Sequence, residues 1–261
     1  MNVIRFERDG DVGAIVLCSP PNWLSRQFAD DLLSAVHQAG ESSVRALVLR
    51  AEGPSFSVGG AAFEWPDKDQ RWFRTFVGEV STAYRAIEAL PIPVLAAVRG
   101  DAIGGGFEMV LSADLIFASE TAVFRCIEVT TGMVPLAGAV QRIAAAAGPI
   151  QAARIAMLSE PVTATEAAAL NLVTTVVPDE DLDETVAQLA ARLAAGPTRA
   201  YAAIKSLVKA QASGGVAAAD TLMADLTMDL YESADARAAI PKVGAALAAN
   251  SPLPAIEFLG S

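Results

Sequence analysis

Three consecutive glycines, Gly104–Gly106, with Glu108 two residues beyond them, are the stretch of this chain whose residue types and spacing could do chemistry. The segment from Val94 to Asp114 reads as a buried strand (Val94–Val98), a glycine-punctuated turn (Gly100–Gly106) and a helix that carries Glu108 in its first turn. Glycine removes the Cβ, so backbone N–H groups there can approach another atom closely, and at a helix N-terminus those donors have no intrahelical partner. Such a turn suits negative charge, whether a phosphate or an oxyanion that exists only in a transition state. A nearby carboxylate repels phosphate but suits chemistry beside a developing oxyanion. The glycines equally fit a simpler role, letting a helix pack closely on a strand.

Other chemistries fail on spacing or composition. A dinucleotide fingerprint requires G-x-G-x-x-G, but its last position counted from Gly104 is Met109, and its second counted from Gly100 is Ala102. A phosphate-binding P-loop requires Gly-Lys-Ser/Thr, and no lysine is near. The one histidine, His37, falls in a helical pattern (Gln27–Ala39) and reads as structural rather than as part of a nucleophilic triad. One His and two distant Cys offer no metal-ligand spacing, so no metal is expected. The net charge of −11, from 30 acidic and 19 basic residues, argues against a nucleic-acid partner. No segment is long and apolar enough to span a bilayer: the run Val134–Gly148 is interrupted by Gln141 and Arg142. With charge from the fifth residue onward no secretory apolar region is expected, and Cys18 and Cys126 fit a reducing cytoplasm.

The elements that must position the glycine turn follow from periodicity. With 261 residues, 53% of them hydrophobic, the chain can bury a substantial core. Val3–Arg8 and Val12–Cys18 about Asp9-Gly10-Asp11 predict a hairpin, and a helix follows with Ser25 as cap and Phe28, Leu32, Leu33 and Val36 on its apolar face. Val44–Arg50 predicts the next strand, giving β-β-α-β, and Ser55–Trp65 predicts another short strand with a Gly-Gly turn. Asp67–Leu90 reads as a helix in which Trp72, Phe73 and Phe76 cluster. Beyond the Glu108 helix, Leu115–Ala118 and Ala122–Phe124 predict strands about a Ser-Glu-Thr turn, and Glu128 after them reads on its own as a solvated loop charge. Helices are predicted over Gly148–Leu158 and Thr165–Leu170, the latter capped by Thr163 or Thr165, then a last strand over Asn171–Val177. Asp181–Ala195 predicts an amphipathic helix stopped by Gly196-Pro197. The alanine-rich end predicts helices over Thr198–Ala212, Val216–Glu232 and Ala234–Ala249, with a break at Ser213-Gly214-Gly215.

Position by position, Leu95–Leu115, LAAVRGDAIGGGFEMVLSADL, resembles the signature of the crotonase superfamily, the enoyl-CoA hydratases and isomerases, and the likeness covers nearly all of the chain. The resemblance implies an α/β fold, a crotonase-like spiral of ββα repeats (1–196) followed by a C-terminal helical oligomerisation module (197–261) that forms trimers or dimers of trimers. It implies that the backbone N–H groups of Gly60 and Gly105 hold a thioester carbonyl and that Glu108 and Glu128 divide acid and base duties over one water. It also implies that Val58, Ala61, Ala62, Gly104 and Leu136 line the substrate. The activity so implied is addition of water to a trans-2-enoyl-CoA, with coenzyme A present as part of the substrate and no resident cofactor. The alternatives are a Δ3,Δ2 isomerase, another acyl-CoA enolate enzyme, or a non-catalytic thioester binder.

The sequence departs from the family pattern in places. Ala61 stands where an aspartate is usual, Arg125 and Ile127 where Gly and Pro are frequent, and Leu136 where a glycine usually lies by the catalytic water. Arg125 carries a charge that could pair with Glu128. The turn before Asn22, which in typical members contacts coenzyme A, is short and lacks a basic residue; Arg26 is the nearest candidate.

Overall fold

The structure, a computed structural model, describes residues 2–261. In chain order its first half is β1 (Ile4–Asp9), β2 (Val12–Leu17), α1 (Arg26–Glu41), β3 (Ala46–Ala51), α2 (Gln70–Ala89), β4 (Val94–Val98), β5 (Asp101–Ile103) and α3 (Gly105–Val110). There follow β6 (Leu115–Ser119), β7 (Val123–Arg125), α4 (Ala139–Ala147), α5 (Pro149–Leu158), β8 (Val162–Thr163), α6 (Ala164–Ala169), β9 (Thr175–Val177), α7 (Leu182–Ala194), α8 (Thr198–Tyr231) and α9 (Ala234–Ala248). Short 3₁₀ turns cover Ala62–Glu64, Glu128–Thr131 and Asp179–Asp181.

Two sheets carry the architecture: six strands in the order β1-β2-β3-β4-β6-β9 and three in the order β5-β7-β8. Only β1 runs antiparallel in the large sheet, through the expected hairpin with β2. The central strands are buried on both faces and therefore read as unbroken apolar runs. One face of the sheet meets the main core, and Val48, Leu95, Ala97 and Phe117 on the other meet Leu182, Val186 and Ala190 of α7. Each fully buried Val, Leu or Phe side chain of this kind contributes roughly 1.5–3 kcal/mol. The spiral follows from how the chain alternates between sheets. The β4 strand lies in the large sheet and β5 in the small one before α3; β6 and β7 repeat the step before the next helices.

Several sequence expectations are corrected. The turn Gly100–Gly106 contains a strand, β5, because its N–H and C=O groups pair with the parallel β7. Ser55–Trp65 holds no regular strand: Ser57 makes one bridge to Ala102 and Gly60 one to Leu24. Leu115–Ser119 and Val123–Arg125 do not pair about their Ser-Glu-Thr turn, because they belong to different sheets. The last strand is confined to Thr175–Val177, since Asn171 adopts a left-handed φ of 59°. Helix α4 within the apolar run and strand β8 were not expected.

Caps act as the side chains dictate. Ser25 accepts from the N–H of Phe28, Asp69 from Trp72 and Thr163 from Glu166. Helix α1 buries Phe28, Leu32, Ala35, Val36 and Ala39 at helical spacing. In α8 the chain breaks at Gly215, φ +73°, where the Ser-Gly-Gly break was expected. The long C-terminal helices leave Val208, Val216, Met228 and Leu247 exposed. The chain end returns to the body: Asp235 accepts from the N–H groups of Leu259 (2.7 Å) and Gly260 (2.9 Å), and Arg45 donates to the carbonyl of Phe258 (3.0 Å).

Candidate active site

A cavity of about 230 Å³ opens between α2, α3, the Gly59-Gly60 turn and the segment after β7. Gly60, Gly104, Gly105, Glu108 and Glu128 all line it. Its remaining wall is largely apolar, with Trp23, Leu24, Trp65, Phe76 and Val80 prominent.

The glycine turn is shaped by close approach. Gly104 has φ +52°, and a Cβ there would lie 2.9 Å from Oε1 of Glu128. Its N–H donates to the carbonyl of Arg125 (2.8 Å), which ties the turn to β7. Among the described residues, neither the N–H of Gly60 nor that of Gly105 has an acceptor, and both stand at the cavity wall. For Gly105 this follows from its place as the first residue of α3. The buried Tyr84 of α2 donates its hydroxyl to the carbonyl of Gly105 (2.7 Å), fixing the same turn from behind. On the other side Asn22 donates to the carbonyl of Phe56 (3.0 Å), and the hydroxyl of Ser57 donates to the carbonyl of Asn22 (2.7 Å). That latch aligns the Gly59-Gly60 segment with Trp23 and Leu24.

The two glutamates share the cavity but not an environment. Glu108 is 2% exposed, and its Oε1 accepts from the N–H groups of Ala137 (2.7 Å) and Ala139 (3.1 Å). Burial pushes its carboxyl upward while those backbone donors, with Leu136 and Gly138, pull it back. Glu128 begins a 3₁₀ turn, and its Oε2 is the buried side-chain polar atom without a partner among the described residues. Burial, with the charge of Glu108 adding to it, pushes the Glu128 carboxyl up to about 7. One carboxylate is held by donors and the other tends to keep its proton, which is the separation an acid–base pair needs.

Of the residues expected at the substrate, Val58, Ala62, Gly104 and Leu136 line the cavity. Ala61 does not: it is buried, its N–H donates to the carbonyl of Leu24 (3.0 Å), and its carbonyl accepts from Glu64 (2.9 Å). Arg26 is turned to Glu79 on α2, with Nε 2.9 Å from Oε2 and a second bond to Oε1. Arg125 does not pair with Glu128, because its Nε donates to the carbonyl (2.6 Å) and hydroxyl (3.3 Å) of Ser159. Ile127, by contrast, lines the cavity. The aromatic cluster of α2 is both wall and packing, since Phe76 faces the cavity and stacks on Trp72 at 5.4 Å. His37 is exposed on α1, and burial pushes the thiol of Cys126 up to about 12, so neither supplies a nucleophile.

Sequence reasoning missed Trp23, Tyr84 and the Ala137–Ala139 donors. Only the last had a signal, Gly138, whose φ of +107° marks a special turn at the start of α4. Among the described residues no cluster of three His, Cys, Asp or Glu could hold a metal, and no helix is long and apolar enough to cross a membrane.

Comparison with known proteins shows the family and the fold. Residues 7–242 match the enoyl-CoA hydratase/isomerase family. A protein of Rhodobacter capsulatus named probable enoyl-CoA hydratase is 32% identical over 238 residues, 90% of this chain and 92% of its own. The crystal structure of enoyl-CoA hydratase subunit I from Geobacillus kaustophilus superposes with a TM-score of 0.89 at 31% identity, covering 99% of this chain and 98% of that one. A second enoyl-CoA hydratase structure from the same organism, 22% identical, shares the fold with a TM-score of 0.92 over 100% of this chain and 98% of its own. The fold is thus the crotonase-like α/β fold with its helical C-terminal region, and this chain belongs to the enoyl-CoA hydratase/isomerase family.

Proposed function

We propose that the chain is an enoyl-CoA hydratase, adding water to a trans-2-enoyl-CoA to give a 3-hydroxyacyl-CoA. The observation that carries this reading is the pair of carboxyls lining one cavity, one held by N–H donors and one with an unpartnered oxygen, with two glycine N–H groups at the same cavity that have no acceptor among the described residues. The thioester carbonyl lies against the N–H groups of Gly60 and Gly105. Glu108, ionised, takes a proton from water, and the oxygen bonds to C3 as the C2=C3 electrons move towards the carbonyl. Negative charge collects on the thioester oxygen between the two N–H groups; losing one such donor costs about 2.7–4 kcal/mol in other enzymes. Glu128, protonated, gives its proton to C2. Glu108 has then gained the proton that Glu128 has lost, and exchange between them or with solvent resets the site.

Coenzyme A enters only as part of the substrate, and the apolar wall of Trp65, Phe76 and Val80 holds the acyl chain. The apolar side chains exposed on α8 and α9 support assembly of the chain with copies of itself, as a trimer or dimer of trimers. The division into a core (1–196) and a helical module (197–261), and a cytoplasmic setting, belong to the same reading. A second reading, a Δ3,Δ2 isomerase relying on one carboxyl, is favoured by Leu136, a bulky residue at the cavity where the family pattern has glycine.

Crotonyl-CoA and a 3-enoyl-CoA, offered separately to the wild-type protein and to Glu128→Gln, test the reading. Loss of the conjugated thioester absorbance from crotonyl-CoA, abolished in Glu128→Gln, supports hydration. Conversion of only the 3-enoyl substrate refutes hydration in favour of the isomerase.

A further inference from the structure

We propose that Arg142 of α4, anchored by Glu88 of α2, is a positioning residue for Glu108, holding from behind the peptide groups whose N–H donors fix its carboxylate. The proposal builds on the assignment of Glu108 as the proton-accepting carboxylate. One η-nitrogen of Arg142 donates to the carbonyls of Ala137 and Gly138, each at 3.1 Å. The carbonyl of Gly138 belongs to the same peptide unit as the N–H of Ala139, which donates to Oε1 of Glu108 at 3.1 Å. The carbonyl of Ala137 likewise shares a peptide unit with the N–H of Gly138. A guanidinium thus sits at the carbonyl end of peptide units directed at a buried carboxylate.

A cation at the carbonyl end polarises the peptide and strengthens its N–H as a donor. Gly138 makes the arrangement possible: at φ +107° a Cβ would lie 2.0 Å from that η-nitrogen. Glu88 holds the guanidinium in turn, with Oε1 2.7 Å from Nε and 2.6 Å from the other η-nitrogen. Both partners are mostly buried, with side chains 22% and 30% exposed, so water screens the chain of contacts only in part. Glu88 and Tyr84 lie one turn apart on α2, so one helix braces both the Gly105 peptide and the Glu108 donors.

The groups facing this arrangement are few. Glu128, Cys126 and Tyr84 lie near enough to Glu108 for its charge to act on them, and Arg142 acts on Tyr84 as well. Asp114 lies near Glu88 and is paired with Lys205 at 2.6 Å. Among the described residues no other cationic side chain hydrogen-bonds the carbonyls of Ala137 or Gly138, so removing Arg142 removes the cation behind these donors.

The test reads the Glu108 carboxyl directly, by carbon NMR of carboxyl-labelled glutamate assigned with Glu108→Gln, beside the pH profile of turnover. In Arg142→Gln the weakened donors raise the pH at which Glu108 titrates, by about one pH unit. The acid limb of kcat follows it, and KM changes less than about twofold. Glu88→Gln keeps an acceptor for the guanidinium but removes the opposing charge, so Glu108 titrates at lower pH. Opposite directions in the two variants support the proposal, and a purely structural role would not produce them. Titration of Glu108 in Arg142→Gln that coincides with wild type overturns it. If Arg142→Gln does not fold, Glu88→Gln decides, an unchanged titration again being the refuting result. Because the NMR readout does not depend on turnover, it stands even if the hydratase reading fails.

Discussion

Replacing Glu128 with glutamine separates the stability penalty of the site from its chemistry. Folding lifts this carboxyl from its ordinary value of 4.5 to about 7, so between those values the folded chain holds a proton that the unfolded chain has released. Stability contributed by the neutral group is therefore greatest below 4.5 and is lost as the pH rises through about 7. Above that point Glu128 must carry its charge in a largely apolar cavity near Glu108. At about 1.36 kcal/mol for each pKa unit, the penalty is at most about 3 kcal/mol, and relaxation of the site and entry of water bring it to about 1–3 kcal/mol. Glutamine has the same shape and no charge to bury. Glu128→Gln should thus gain about 1–3 kcal/mol relative to wild type at about pH 8 and keep little of that gain at about pH 5. Urea midpoints of both proteins, taken at the two pH values and equal protein concentration, give the answer. The change in the gain between them is the readout, because any altered hydrogen bond at the amide is common to both. A gain that is the same at the two pH values refutes the claim that Glu128 is a buried acid with a raised pKa.

Three further outcomes follow from named contacts. Tyr84→Phe leaves the carbonyl of Gly105 without its buried donor. It should destabilise the fold by about 1–3 kcal/mol in denaturant titration and lower kcat more than it raises KM. In the proposed hydration Glu128 acts in its protonated form, so kcat should fall as the pH rises through about 7, and a rate that climbs steadily across that range contradicts the proposed roles. Arg26→Ala should leave KM for crotonyl-CoA unchanged, because Arg26 is engaged with Glu79; a several-fold rise would return it to the coenzyme A contacts.

Much of this arrangement was legible in the sequence because it depends on local signals. Consecutive glycines before Glu108 marked a turn with free donors, the apolar run of β4 marked a buried strand, and those of β3 and β6 marked strands. Ser25 and the Ser-Gly-Gly break fixed a helix start and a helix kink. What escaped were choices made by distant parts of the chain. The β5 strand is a strand only because β7 lies beside it, and Ser57 and Gly60 are held by single bridges rather than by a sheet. Glu128 on its own read as a solvated charge, and only the family resemblance set it beside Glu108, because nothing local shows that Gly104 will lie over its carboxyl. Ala61 was set at the substrate by the resemblance and Arg26 by being the nearest basic residue; in the structure Ala61 hydrogen-bonds to Leu24 and Glu64, and Arg26 to Glu79. Arg125 looked like a partner for Glu128 until Ser159, on the far side of α5, claimed its guanidinium. The brace through Tyr84, Glu88 and Arg142 joins α2 to two other segments and has no pattern along the chain.

The most direct measurement is a crystal structure of the protein with a non-reacting acyl-CoA bound. The thioester oxygen is expected about 2.7–3.1 Å from the N–H groups of both Gly60 and Gly105, with the carboxyls of Glu108 and Glu128 over the adjacent two carbons. A thioester carbonyl lying away from either N–H, or a C2–C3 bond out of reach of one of the carboxyls, would contradict the account.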